Sequence, residues 1–170
     1  NGCRSVAEFD IVQLTLPPGF SFQTDTISCT HPIAFLQANS PDGNVQYTWF
    51  SPSGIVTESN ISESNESGLH TLIVRDNNNC FDTVSVLVAA DTLRPDIDIQ
   101  QEGNIICDQR EVLLFIPDSL QNIDFTYLWT GNVDQLLTDP TVPSVNILNP
   151  GIFILNLTNN QNGCVNQLTY

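Results

Sequence analysis

The sequence contains no lysine and no methionine, and arginine is its only basic residue apart from two histidines. Nineteen acidic residues outnumber the four arginines, so the formal net charge is -15. The arginines are also scattered, at Arg4, Arg75, Arg94 and Arg110. Binding to nucleic acid needs clustered cations that displace counterions from phosphates, and binding to an anionic membrane surface needs a similar cluster. The composition therefore excludes both partners.

Long apolar runs are missing as well. No stretch approaches the ~20 apolar residues that cross a bilayer, so we expect no membrane insertion. The chain also starts without a charged segment followed by an apolar one, and Asn1-Gly2-Cys3 resembles the middle of a module. We therefore expect the sequence to be an excerpt of a longer protein.

The five cysteines include no Cys-x-x-Cys pair. Together with the abundance of Asn, Ser and Thr, they favour an oxidising extracellular compartment over a cytosolic metal site. Because five is an odd number, one cysteine is expected to lack its partner within this stretch.

Signatures of catalysis are absent from the sequence. It has no glycine-rich phosphate loop and no zinc-ligand spacing. His31 and His70 have no Ser or Cys partner at a recognisable spacing, and carboxylates are too frequent for any pair of them to be informative. The sequence predicts no enzyme activity, no catalytic residue and no cofactor.

An internal repeat organises the chain. Each copy has an Ile-x-Cys sequence, a Tyr-x-Trp sequence, a Gly-led apolar run and an Asn-x-Cys sequence, at Cys29, Trp49, Gly68 and Cys80 and again at Cys107, Trp129, Gly151 and Cys164. The spacings between matching landmarks differ by at most three residues, as expected for small changes in turns. A partial third copy opens the chain at Asn1-Gly2-Cys3.

The repeat predicts the domain boundaries. Residues 1–14 are the end of a preceding truncated module, 15–26 a linker and first strand, 27–90 a complete module, 91–98 a linker, and 99–170 a second module whose last strand is truncated.

Each module is predicted to be all-β. Short alternating or apolar runs are separated by turns rich in Ser, Pro, Asp, Asn and Gly, and no window has a helical period. The predicted strands are 33–38, 45–50, 69–74 and 83–88 in one copy and 111–116, 125–130, 152–157 and 165–170 in the next. Several short strands in ~75 residues predict a Greek-key β-sandwich of the immunoglobulin kind.

These motifs resemble a known family. The stretch from Ser40 to Trp49, the Pro-x-Gly turn after it, and the run from Gly68 to Val74 are similar to the PKD (polycystic kidney disease) family of immunoglobulin-like domains. With Ile-x-Cys and Asn-x-Cys added, the chain resembles the tandem PKD-like repeats of giant Bacteroidetes surface proteins, including gliding-motility adhesins. The chain departs from the family pattern at His70 and Phe153, where relatives have Tyr. The acidic Trp-x-Phe-Gly-Asp-Gly turn is also replaced, by residues 49–54.

The resemblance implies a function. Such repeats form the structural stalk of a large secreted adhesin, exported by type IX secretion and displayed on the cell surface, where it mediates adhesion or gliding motility. The expected partners are other modules of the same long chain and a surface ligand, either polysaccharide or protein. Two alternatives stay open: a non-catalytic accessory or spacer module of a secreted hydrolase, and a subunit of a surface filament with exchanged strands.

Repeat symmetry predicts the disulfides. Each full copy owns one early and one late cysteine, which gives Cys29–Cys80 and Cys107–Cys164 and leaves Cys3 unpaired. In a Greek-key sandwich, however, the start of the second strand and the final turn lie at opposite ends, while bonding needs Cα atoms within about 7 Å. The alternative is that the early cysteine of one copy bonds to the late cysteine of the next, as Cys29–Cys164.

Two aromatic pairs, Tyr47 with Trp49 and Tyr127 with Trp129, stand two residues apart on one strand face. An exposed pair would form a platform for sugar rings, but the face most naturally points into the core. We therefore expect core packing.

The remaining candidates concern calcium and glycans. Asp91, Asp96 and Asp98 flank the second linker as candidate calcium ligands. The first linker has no carboxylate at the matching places, which favours solvated surface charge. Four Asp-Ser/Thr-aliphatic sequences resemble the O-glycosylation signal of Bacteroidetes, with Thr26, Thr83, Thr92 and Ser119 as the acceptors.

Overall fold

The computed structural model describes residues 2–11, 15–107 and 110–170. Strands dominate these residues, and the helices among them are two single turns of 3-10 helix, Asp118–Leu120 and Val133–Gln135. Residues 2–11, where the end of a preceding module was expected, carry no strand. Residues 1 and 12–14 of that predicted segment lie outside the described residues.

The chain divides into two compact units. The first contains the described residues up to Asp25 together with Ile33–Ala89, and the second contains Thr26–Pro32 together with Ala90–Tyr170. The chain therefore passes between the units three times. The segment Thr26–Pro32, which begins the complete repeat in sequence, belongs to the second unit in space.

The first unit is built from two antiparallel sheets, ordered β1-β3-β6 and β5-β4-β7-β8. Its strands are β1 Ser21–Thr24, β3 Ala34–Asn39, β4 Gln46–Phe50, β5 Val56–Thr57, β6 Ile61–Ser64, β7 Gly68–Arg75 and β8 Phe81–Val88. Every second residue of β3 and β7 is buried, including Leu36 and Leu72. This alternation is what a strand with one face on a core requires.

The second unit repeats the arrangement. Its strands are β2 Ile27–Ser28, β9 Ala90–Asp91, β10 Gln100–Glu102, β11 Val112–Phe115, β12 Phe125–Gly131, β13 Ser144–Ile147, β14 Phe153–Asn159 and β15 Val165–Thr169. The sheets are β10-β11-β13 and β12-β14-β15, and a short parallel pair, β2-β9, stands beside them. Trp129, Leu114 and Leu155 lie in one core shared by both sheets.

Both units are immunoglobulin-like β-sandwiches of Greek-key type. In the first unit the first, second and fifth strands (β1, β3, β6) form one sheet and the remaining four form the other. The second unit has the same arrangement without a counterpart of β5, so that β10, β11 and β13 face β12, β14 and β15. The all-β fold class predicted from the sequence is confirmed. The eight predicted strands are all present, with ends that shift by at most two residues.

Candidate functional sites

The segment Thr26–Pro32 packs within the second unit, and the residues that it contacts there are called the docking site. Ile27 and Ser28 pair in parallel with Ala90 and Asp91, and Ile27 is only 7% exposed. Ser28 N–H donates to His31 O over 2.9 Å, and His31 N–H donates to Ser28 Oγ over 3.1 Å. These two bonds hold the segment in a tight turn after its cysteine.

Cys29 bonds to Cys164, with Cα atoms 5.0 Å apart and 135 residues of chain between them. Cys29 N–H also donates to Asn162 O over 3.0 Å, so a backbone bond accompanies the disulfide. Cys164 is fully buried and Cys29 is exposed. The pair joins the early cysteine of one sequence repeat to the late cysteine of the next.

This bond corrects the predicted pairs. Cys29–Cys80 and Cys107–Cys164 do not form, because Cys29 and Cys164 have each other as partners. The physical reason is that the segment around Cys29 lies in the second unit, where the turn before β15 is within bonding distance. Cys3 is exposed and forms no disulfide within the described residues.

Asn162 is the polar centre of this docking site. It is 1% exposed, and its side-chain amide donates to Asp91 Oδ1 over 2.8 Å and to Leu93 O over 3.0 Å. Its Oδ1 accepts the Cys164 N–H over 2.9 Å. Sequence reasoning missed this residue, although the repeated Asn-x-Cys sequence is a signal for it.

Gly163 completes the turn for two reasons. Its φ of 71° lies in the left-handed region, which side chains other than Asn and Asp rarely adopt. An added Cβ would also overlap the Thr30 side chain. In the first unit the matching turn has Asn79 at φ 70°, and Cys80 N–H donates to Asp76 Oδ1 over 2.8 Å. A left-handed residue thus stands directly before both late cysteines.

His70 and Ser64 form a buried pair in the first unit that sequence reasoning also missed. His70 is 1% exposed; its Nε2 lies 2.9 Å from Ser64 Oγ and its Nδ1 lies 3.3 Å from Gly68 O. Ser64 Oγ also accepts the Glu66 N–H over 3.1 Å. The pair satisfies polar groups within the buried part of the first unit.

The three acidic candidates for calcium, Asp91, Asp96 and Asp98, are all exposed and lie in different surroundings. Asp91 accepts a bond from Asn162, and Asp98 Oδ2 accepts one from Gln100 Nε2 over 3.2 Å. Asp96 lies on the rim of a small cavity beside Ser119 and Phe125. Among the described residues, no three or more His, Cys, Asp or Glu side chains come together as a metal site.

The pKa values of two carboxyl groups, Glu66 and Asp139, are lowered. Hydrogen bonds from the Ser53 hydroxyl and backbone N–H lower the pKa of Glu66 below the ordinary value. The hydroxyl and backbone N–H of Thr141 lower the pKa of Asp139 in the same way. Both groups cap turns, so their charge is used to order loops.

The aromatic pairs divide. Trp49, Trp129 and Tyr127 are buried, whereas Tyr47 is half-buried and lines a shallow cavity with Thr48 and Glu58. A two-residue aromatic platform is therefore not exposed in either unit. The four candidate glycan acceptors Thr26, Thr83, Thr92 and Ser119 are all exposed, three of them in loops or a 3-10 turn and Thr83 on β8.

A surface cavity of about 350 Å³ lies in the second unit. Its walls include Ile105, Val112, Phe153 and Tyr170, with Gln101 and Asn104 at the rim. Tyr170 Oη donates to Gln101 Oε1 over 2.7 Å. The cavity lies beside the Ile-x-Cys sequence of this unit, which ends at Cys107.

No helix within the described ranges is long and apolar enough to span a membrane. No protein-family model matches the chain, and no curated protein is significantly similar to it. The crystal structure of murine CEACAM1b matches over 89% of this chain and 97% of that chain, with 9% sequence identity and a TM-score of 0.38. At this identity and TM-score the likeness says nothing about function.

Proposed function

We propose that this chain is a non-catalytic structural segment of a large secreted protein, in which sandwich modules are tied together as the stalk of a cell-surface adhesin. The observation that carries the proposal is the Cys29–Cys164 bond, which joins cysteines of two successive sequence repeats. A disulfide of this kind persists in an oxidising extracellular compartment. The resemblance of the repeat motifs to tandem PKD-like modules adds the role in surface adhesion or gliding motility.

The bond has a direct mechanical consequence. Force applied to the two ends passes through the disulfide, so residues 30–163 are not stretched while the bond is intact. Those residues contain every strand except β1, β2 and β15. A stalk with such disulfides resists extension even when the noncovalent core of one module unfolds.

Single-molecule force spectroscopy tests the mechanical role. The chain is pulled from residues 1 and 170, first in oxidising buffer and then with a reductant. Reduction should release up to about 470 Å of additional contour length, from 135 residues at about 3.5 Å each. A Cys29→Ser chain should give the long extension in both buffers. Equal extension of the parent chain with and without reductant would contradict the proposal.

The adhesin role is tested in the source organism. Antibodies against the chain should label intact cells, and deleting the coding segment should reduce attachment or gliding. If the deletion changes neither and instead lowers a secreted hydrolase activity, the spacer-of-a-hydrolase alternative replaces the adhesin.

A further inference from the structure

We infer that Ile105–Cys107 is the donor segment for a further module of the same repeat: it adds as a short parallel strand to that module and bonds through Cys107 Sγ to the cysteine of its Asn-x-Cys turn. This inference rests on the proposed function in one respect, since it supposes that another repeat module is present. It names the partner surface and the bond by which successive modules are joined.

The first argument is positional equivalence. Cys29 and Cys107 each stand five residues before the first buried residue of the second main strand, Ala34 in one unit and Val112 in the other. Each cysteine follows an isoleucine by two residues, Ile27 or Ile105. The two Ile-x-Cys segments are thus the same part of two copies of one fold.

The second argument is that only one of the two segments is used. Ile27 is 7% exposed and lies in strand β2, whereas Ile105 is 37% and Ile106 is 59% exposed. No strand is formed between Glu102 and Val112 within the described residues, and Cys107 is an exposed thiol. An isoleucine pair left partly open beside a surface cavity is a surface that a partner backbone and side chains can cover.

The third argument is that the required acceptor is a recurring feature. Where Cys29 is bonded, the turn that receives it supplies three features: the Asn162 carbonyl, a left-handed residue at Gly163, and Cys164 immediately before the last strand. The first unit has the same sequence of an asparagine, a left-handed residue and a cysteine at Asn78–Cys80, with Asn79 at φ 70°, directly before strand β8. A repeat module therefore presents such a turn by virtue of its fold.

The bond forms by oxidation. Cys107 and the turn cysteine each give up one proton and one electron as the S–S bond is made. A low-molecular-weight disulfide such as oxidised glutathione takes up both electrons and both protons and becomes two thiols. This is the chemistry of an extracellular or periplasmic compartment.

The test adds a further module to the chain. The full chain is extended after Tyr170 by a second copy of residues 87–170. Val86 pairs with His70 in the first unit as Tyr170 pairs with Phe153 in the second, so Tyr170 matches Val86 and residue 87 follows it in register. The added copy carries Cys107→Ser, and Val165→Ile as a mass label. After oxidation in glutathione buffer, the chain is digested without reduction and its peptides are mapped.

We expect the Cys107 peptide joined to the labelled Cys164 peptide, and Cys29 joined to the unlabelled Cys164 peptide. Ile105→Asp should lower the yield of the Cys107 bond at least tenfold, whereas the matched change Ile123→Asp, at a fully exposed site, should not. Alkylated Cys107 beside an intact Cys29–Cys164 bond, or Cys107 joined to any other cysteine, would overturn the inference.

A second experiment decides the matter if the added copy does not fold. Two full-length chains are mixed: one with Ile27→Asp and Cys29→Ser, which vacates its Cys164 turn, and one with Cys3→Ser as donor. A Cys107–Cys164 bond between the two chains supports the inference, and its absence at millimolar chain concentration overturns it. Neither result changes the force-extension test of the parent chain, so the failure of this inference and that of the proposed function are distinguishable.

Discussion

Asn162 shows how one polar residue can determine where a segment docks. Its buried side chain makes three hydrogen bonds, to Asp91, to Leu93 O and from the Cys164 N–H. Leaving buried partners unpaired costs more than the net gain from an exposed hydrogen bond. The residue therefore fixes both the shape of the turn and the position of the chain after β9.

The substitution Asn162→Ala should lower the unfolding free energy of the second unit by about 2–4 kcal/mol, because a buried amide loses three hydrogen bonds and the buried Cys164 N–H loses its acceptor. Denaturant unfolding followed by fluorescence of Trp129, in a Trp49→Phe background, measures the loss. Gln161→Ala, at the exposed neighbouring position, is the matched control and should cost less than about 1 kcal/mol. Equal losses for both variants would show that the hydrogen bonds of Asn162 do not hold the site.

The two buried tryptophans differ in one bond. Trp129 Nε1 donates to Val142 O over 3.0 Å, whereas Trp49 Nε1 has no acceptor among the described residues. Both rings are equally buried. The contrast isolates one hydrogen bond from the apolar burial that the two rings share.

Replacing each tryptophan by phenylalanine should therefore have unequal effects. Both changes remove similar apolar volume, but Trp129→Phe also takes the indole donor away from the half-buried Val142 carbonyl, while Trp49→Phe removes an unsatisfied donor. We expect Trp129→Phe to cost about 1–3 kcal/mol more than Trp49→Phe. Calorimetric melting of the two variants measures this, and a larger loss for Trp49→Phe would contradict it.

Glu66 gives a pH-dependent prediction. Bonds from the Ser53 hydroxyl and N–H lower the pKa of Glu66 in the folded unit. Its stabilising effect is therefore complete above the ordinary carboxyl range and is lost as the pH falls through the folded-state value. Glu66→Gln should melt below the parent at pH 7, and the two curves should converge below about pH 4.

The control for this prediction is Glu63→Gln, on the exposed face of β6. A melting difference for Glu66→Gln that stays constant from pH 7 to pH 3 would show that the carboxylate charge is not what orders the Ser53 turn.

At the scale of elements, sequence patterns predicted the strands that alternate strongly. The β7 and β14 sequences place an apolar residue at nearly every second position, and both strands were predicted within two residues. The β6 strand was missed because its buried positions are Ser62 and Ser64, which have no apolar signal. Strand β2 was missed because two residues are too short for any periodicity.

The disulfide shows why part of the candidate site could not be predicted from the sequence. Repeat symmetry is equally satisfied when each early cysteine pairs within its own copy and when it pairs with the next copy. Composition and spacing are identical in the two cases. Only the folded position of Thr26–Pro32 in the second unit decides between them. Asn162 was overlooked for the same reason, since its partners come from a chain segment about 70 residues away.

Removing the bond should loosen the docked element. Cys29→Ser removes a crosslink that closes a 135-residue loop, and the loop-entropy estimate for such a loop is up to about 5 kcal/mol. Without the crosslink, the pair β2-β9 depends on its two residue pairs, on the burial of Ile27 and on the hydrogen bonds to Asn162. We therefore expect a lower melting temperature of the second unit and faster amide exchange at Ile27 and Ser28.

Cys107→Ser is the matched control for that experiment, because the same atom is removed from an exposed position outside the bond. Unchanged exchange at Ile27 in Cys29→Ser would mean that the backbone contacts alone keep the segment in place.

At the scale of the whole molecule, sequence repeats and folded units are offset. Each folded unit is a sandwich, but Thr26–Pro32 is counted in one repeat by sequence and in the second unit by structure. The chain therefore crosses from one unit to the other three times. The disulfide joins Cys29, in the segment Thr26–Pro32, to Cys164 of the second unit. In the stalk role that we propose, this offset places the disulfide on the path of an applied force.

The central claim is that the early cysteine of one repeat bonds to the late cysteine of the next. Mass-spectrometric mapping of the oxidised chain, alkylated and digested without reduction, tests it most directly. The account predicts a peptide pair containing Cys29 and Cys164 that separates on reduction, with Cys107 recovered in its alkylated form. A Cys29 peptide joined to the Cys80 peptide, together with a Cys107 peptide joined to the Cys164 peptide, would contradict it.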